Sequence, residues 1–200
     1  SVRECLASLP VRQRVPECSL QLALGYAHVD ALRRMLPTFE ARLENEEYLE
    51  DARLQLRLPQ VPLPLALIAA GAITSSRPFD ADQVQPASLD LRLGAIAFRV
   101  RASFLPGPSH LVADKLDRLQ LHVIDLSHGA VLETGCVYIV PLMESLDLPA
   151  ELAASANPKS STGRLDIFTR VITDRAQEFD KIPAGYSGPL YLEISPRTFP

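Results

Sequence analysis

Within Asn157-Pro158-Lys159-Ser160-Ser161-Thr162-Gly163-Arg164-Leu165, an ammonium, three hydroxyls, a glycine and a guanidinium follow one another without a break. Such a mixture can meet several phosphate oxygens at once, through side chains and backbone N–H groups together. Further on, Gly185-Tyr186-Ser187-Gly188-Pro189-Leu190-Tyr191-Leu192-Glu193 reads as a tight turn feeding a strand. Alternation along that strand makes Glu193 face away from Leu190, Leu192 and Ile194. One segment suits anionic groups and the other carries an isolated carboxylate. Together they suggest a nucleotide site with its own acid/base group.

The elements that must position these residues read mostly as short strands. Ile96, Phe98 and Val100 alternate with Ala97, Arg99 and Arg101, the pattern of a half-buried strand. Val131-Leu132, Cys136–Val140, Ile167–Ile172 and Leu190–Ile194 are further strand candidates, with Gly129 and Gly135 as punctuation and 105–108 as a turn. Leu116, Leu119 and Leu121 read as core positions. His110, His122 and His128 read as loop or surface residues. Asp90 and Arg92, alternating on one strand face, read as a structural or subunit-contact ion pair. Leu65–Ile73 reads as a short helix closed near Gly71. Strands without long intervening helices predict a mainly β domain, a barrel or sandwich.

Residues 1–62 differ in character. Leu24, Ala27, Ala31, Leu32 and Met35 recur at helical spacing up to Pro37, and 39–57 reads as a second, more solvated helix. Leu58-Pro59-Gln60-Val61-Pro62 then forms a proline-stiffened connection. These features predict an N-terminal helical segment over 1–62, followed by a β domain over 63–200.

Composition narrows the function. The net charge of −4 disfavours a general electrostatic binder of nucleic acid, so phosphate recognition must be local. Seventeen prolines against nine glycines suit short strands joined by stiff turns. Cys5, Cys18 and Cys136 are an odd set at unrelated spacings, neither a disulfide framework nor a zinc ligand set, and fit a reducing cytoplasm. The longest apolar run, 63–73, is too short to span a bilayer.

The run P-A-S-L-D-L-R-L-G at 86–94, then N-P-K-S-S-T-G-R-L at 157–165, then G-Y-S-G-P-L-Y-L-E at 185–193, resembles the dCTP deaminase family, which has the dUTPase-like β fold. The resemblance covers about 63–200 and is closest to the first half of a long two-domain form. It implies hydrolytic deamination of dCTP to dUTP and ammonia, with no zinc, and with magnesium carried on the substrate triphosphate. It assigns Ser160, Arg164 and Glu193 to the surroundings of the cytosine as catalytic residues. Lys159 and Ser161 fall at phosphate contacts, and Thr162 and Gly163 belong to the same nucleotide-binding loop. Asp180 is the candidate for the deoxyribose pocket, and Tyr186 for packing on sugar or base.

The resemblance also implies a homo-oligomer, a trimer, whose sites draw residues from two subunits, with dTTP as a candidate regulator. Family members continue beyond the position of Pro200 with strands that supply further triphosphate contacts, so the expectation is a C-terminally truncated domain. The residues fit the chemistry. Zinc deaminases use H-x-E and P-C-x-x-C motifs, and neither occurs here. Without such a metal one carboxylate must shuttle the protons. Glu193 would act as base toward water and then as acid toward ring N3, while Arg164 holds that carboxylate or the developing charge and Ser160 orients the nucleophile. Two readings compete with this one: a dUTP pyrophosphatase (or bifunctional enzyme) of the same fold, and a catalytically incomplete nucleotide-binding or oligomerisation half-domain.

Overall fold

The computed structural model describes residues 18–21, 63–80, 82–85 and 88–198. The helices expected over 24–35 and 39–57, and the connection after them, lie outside the described residues. The described part of 1–62 is a strand, β1 (Cys18–Gln21), so that stretch is not wholly helical. Helix α1 (Leu63–Ala69) buries Leu63 and Leu67 and ends where Gly71 takes a positive φ, close to the expected stop. The strands that follow are β2 (Ile73–Ser75), β3 (Ser88–Leu91) and β4 (Ile96–Val100).

Helix α2 (Val112–Leu119) stands where the sequence suggested only core positions. Asp114 accepts the Leu111 N–H at 2.8 Å and Asp174 accepts the Val112 N–H at 2.7 Å, so two otherwise unpaired donors at the helix start are satisfied. Beyond it come β5 (Gln120–Asp125), β6 (Val137–Asp147), β7 (Ala154–Pro158), α3 (Ser160–Arg164), β8 (Ile167–Thr173), β9 (Lys181–Ile182) and β10 (Ser187–Pro196). Val131-Leu132 forms no strand. Val131 is exposed in a connection punctuated by Gly129 and Gly135.

The strands form two antiparallel sheets. One has the order β3-β1-β7-β9; the other runs β5-β4-β6-β10-β8, with β2 also on β6. In the first, β1 lies between β3 and β7, Ser19 opposite both Asp90 and Asn157. Strand β1 thus shares a sheet with strands from beyond residue 62. In the second, the edge of β6 away from β10 is covered in turn by β4, by residues 92–94 and by β2. Gly94 is needed for that approach. Its N–H donates to the Pro141 carbonyl at 2.8 Å, and a Cβ at this position would sit 2.6 Å from the same oxygen.

Both faces of the larger sheet carry apolar cores, which decides where β10 sends its side chains. Leu190, Leu192 and Ile194 enter the main core with Val140, Val171 and Ala97. The opposite face meets a second cluster of Val100, Val112, Leu116, Ile139 and Ile172. Leu116 is thus core as expected. Leu121 is 48% exposed, because β5 is an edge strand. His110, His122 and His128 are exposed.

Candidate active site

Strand β10 sits between β6 and β8, with Glu193 opposite Ile139 on one side and Arg170 on the other. Glu193 lies on the face opposite Leu192 and is 1% exposed. A buried carboxylate needs a partner, and the register supplies one. Arg170 donates from Nε (3.2 Å) and Nη2 (2.6 Å), both to Glu193 Oε1. The same Nη2 reaches Ser103 Oγ at 2.9 Å. The guanidinium carbon lies 3.6 Å from the centre of the Phe179 ring and 4.8 Å from that of Phe168, distances at which an aromatic face attracts a cation.

The second carboxylate oxygen differs. Glu193 Oε2 is buried and has no hydrogen-bond partner among the described residues. Ser195 Oγ, two positions on and on the same face of the strand, is buried and unpartnered too. A buried polar atom without a partner is uncommon; Thr169 Oγ1 and Thr173 Oγ1 on β8 share that state, but of the four only Glu193 Oε2 belongs to an acid. The carboxylate is anchored through one oxygen and open at the other.

Asp180 stands beside this pair. Its own φ is 61°, its carboxylate accepts the Val171 N–H at 2.7 Å, and its carbonyl accepts the Ala156 N–H. Burial pushes its carboxyl pKa up, the Val171 N–H and the nearby Arg170 cation pull it down, and the negative Glu193 adds a further upward push. Two acids singled out in the sequence are therefore within electrostatic reach of each other, with one oxygen of Asp180 committed to holding the β8–β9 loop.

The phosphate-binding candidates form a separate group. Lys159 precedes α3, and its ammonium meets Asp90 at 2.6 Å. Ser160, Ser161, Gly163 and Arg164 are exposed, while Thr162 points inward at 2% exposure. The partner of Glu193 within the chain is Arg170, where the sequence pointed to Arg164, and Arg164 makes no ion pair among the described residues. Asp90 and Arg92, expected to form an ion pair, each pair with another residue instead, Asp90 with Lys159 and Arg92 with Glu144. The end of β10 returns toward α3: the Arg197 N–H donates to the Asp166 carbonyl at 2.9 Å, Thr198 hydrogen-bonds the Asp166 carboxylate, and the Arg197 guanidinium lies over Phe168.

Tyr186 is a core residue. It is 8% exposed, and its hydroxyl donates to the Pro189 carbonyl at 2.6 Å and accepts the Asp174 N–H at 3.2 Å. Burial pushes the hydroxyl pKa up. Gly188, at φ +154°, lets the chain pass over this ring, since a Cβ there would lie 2.8 Å from the Tyr186 oxygen. A cleft of about 920 Å³ opens beside Tyr186, between the β8–β9 and β9–β10 connections, and neither Glu193 nor Arg170 is in its walls. Open volume and the open carboxylate oxygen are separate within one chain.

Sequence reasoning missed Arg170, Phe179, Ser103 and Ser195. The signal for Arg170 was present as a lone charge inside the apolar run Ile167-Phe168-Thr169-Arg170-Val171-Ile172, which required a buried partner.

Two antiparallel sheets, few short helices and a buried carboxylate on a central strand define a mainly β domain of the dUTPase-like fold. Residues 57–200 match the family model for the 2'-deoxycytidine 5'-triphosphate deaminase N-terminal domain. A second model, described only as a domain of unknown function (DUF1949), matches residues 22–61. A dCTP deaminase from Shewanella sp. (strain ANA-3) is 31% identical over 147 residues, 70% of this chain and 72% of that protein. A "dCTP deaminase, dUMP-forming" from Corynebacterium glutamicum (strain R) is 35% identical over 120 residues, 59% of each. The crystal structure of 2'-deoxycytidine 5'-triphosphate deaminase from Agrobacterium tumefaciens superposes with a TM-score of 0.67 and is 75% identical. That match covers 69% of this chain and 41% of the Agrobacterium chain, so this chain spans well under half of that protein. The chain belongs to the dCTP deaminase family.

Proposed function

We propose that this chain carries the deamination site for dCTP, converting it with water to dUTP and ammonia. The observation that supports this best is Glu193, a buried carboxylate on the family-matched domain with one oxygen anchored and one open. In this reading Oε2 takes a proton from a water, the resulting hydroxide adds to C4 of the cytosine, and the carboxylic acid delivers that proton to N3. The second proton of the water then passes to the exocyclic amine, ammonia leaves, C4 becomes a carbonyl and Glu193 is again a carboxylate. One side chain acting as both base and acid suffices for the overall reaction.

The triphosphate falls to α3. Lys159 and Ser161 offer an ammonium and a hydroxyl to phosphate oxygens, while Ser160 and Arg164 serve the cytosine beside Glu193. Magnesium enters as an ion carried by the substrate. Among the described residues no group of three or more His, Cys, Asp or Glu is placed to hold a metal, and the α3 donor set suits an anion. Ser160 and Arg164 are exposed, and among the described residues Glu193 pairs with Arg170 alone, which fits an assembly in which one copy's α3 serves another copy's Glu193, a homotrimer in the family resemblance. No helix among the described residues is long and apolar enough to cross a membrane.

Incubating the purified chain with dCTP and magnesium tests this directly. Equimolar ammonia and dUTP are expected, from a species with the native mass of a trimer. Pyrophosphate with dUMP from supplied dUTP would move the reading to a pyrophosphatase of the same fold. Absence of ammonia from a fully assembled trimer would end it.

A further inference from the structure

We infer that Arg170, gripped by Phe179, positions Glu193 for the reaction, a role the sequence pattern gave to Arg164. The inference rests on Glu193 being the proton-transfer group. Its own basis is geometric. Both guanidinium hydrogen bonds go to Oε1 and none to Oε2, so the arginine selects which oxygen is anchored and which remains available. In the Glu144 pair, by contrast, both carboxylate oxygens accept a hydrogen bond.

The arginine is itself immobilised. Ser103 holds Nη2 from the 101–104 stretch, Phe179 stacks against the guanidinium from the β8–β9 loop, and Phe168 flanks it from β8. Three separate pieces of chain converge on a side chain that meets the carboxylate through one atom. The loop that brings Phe179 is fixed in turn by Asp180, through the Val171 N–H and the Ala156 N–H. Supporting contacts of this depth are what a reactive group needs to keep its orientation, since a displacement of about 1 Å costs on the order of a hundredfold in rate.

The test uses the full chain with Arg170→Met, Arg170→Lys and Phe179→Leu, read in two ways. Steady-state deamination should show kcat lowered about ten- to a hundredfold in Arg170→Met with KM changed by less than about threefold, the signature of lost transition-state geometry. Arg170→Lys should recover part of the loss, and added methylguanidinium should restore part of the activity of Arg170→Met by seating against Phe179. Phe179→Leu, which keeps the arginine but loosens it, should show a smaller fall in kcat in the same direction. Independently of turnover, the carbon-13 resonance of the Glu193 carboxyl, assigned by its loss in Glu193→Gln, should shift at fixed pH in Arg170→Met and move back with Arg170→Lys. An unmoved resonance, or wild-type kcat in Arg170→Met, overturns the inference. Full activity in Glu193→Gln overturns instead the assignment of Glu193, whatever the arginine variants do.

Discussion

Glu144 and Glu193 are both buried acids on strands of the same sheet, each paired with an arginine, yet they are built differently. Glu144, fully buried, is closed. Oε1 accepts Gln83 Nε2 and Arg92 Nε, both at 2.9 Å, and Oε2 accepts the Arg92 backbone N–H at 2.8 Å. Arg92 spends its remaining donors on the Pro78 carbonyl and Ser75 Oγ, so this network ties β3, β6 and the 75–80 stretch together. Glu193 has an equally buried position and an equally committed arginine, but its second oxygen is left without a partner. In the structural carboxylate both oxygens accept hydrogen bonds. The open one carries a cost that packing alone does not explain.

Substitutions at the two carboxylates should separate their roles. The largest effect should come from Glu193→Gln, which keeps the shape but can no longer take up a proton and give it back. Deamination should fall by about 10²–10⁴-fold, while the thermal melt stays close to that of the parent chain. Glu144→Ala should do the reverse, costing about 2–4 kcal/mol in urea unfolding, less than for a wholly buried pair because Arg92 keeps contact with solvent. If the two phenotypes exchange, the distinction between closed and open carboxylates fails.

Asp180→Asn should give the smallest effect. Burial raises the folded-state carboxyl pKa, so the folded protein binds protons more readily than the unfolded chain. That contribution is fully present below the unfolded carboxyl pKa and is lost as pH rises through the folded one. Asparagine can still accept the Val171 N–H but cannot ionise. Melting followed from about pH 4 to 7 should therefore show the variant gaining on the parent chain as pH rises; a parallel pair of curves would contradict the assigned cause.

Much of the larger sheet was legible because its strands alternate or carry long apolar runs: β6, β8 and β10 lie where Cys136–Val140, Ile167–Ile172 and Leu190–Ile194 pointed. Helix α2 was missed although Val112, Leu116 and Leu119 follow helical spacing, since eight residues span barely two turns. Leu121 was misjudged because nothing local reveals that β5 lies at an edge. The Glu193–Arg170 pair depends on the antiparallel register of β8 and β10, a long-range property that no local window shows. Glu193 itself was found because a lone acid among leucines and isoleucines is visible in any window.

The insertion of Cys18–Gln21 between β3 and β7 bears on how the chain reaches its native state. Neither neighbour pairs with the other in the β3-β1-β7-β9 order, so that sheet cannot zip up from adjacent hairpins. Its closure waits for two distant encounters with the same four-residue ribbon, and pairings of such high sequence separation form slowly. Until β1 arrives, the facing edges of β3 and β7 lack backbone partners, and unpaired edges of that kind invite pairing with other chains.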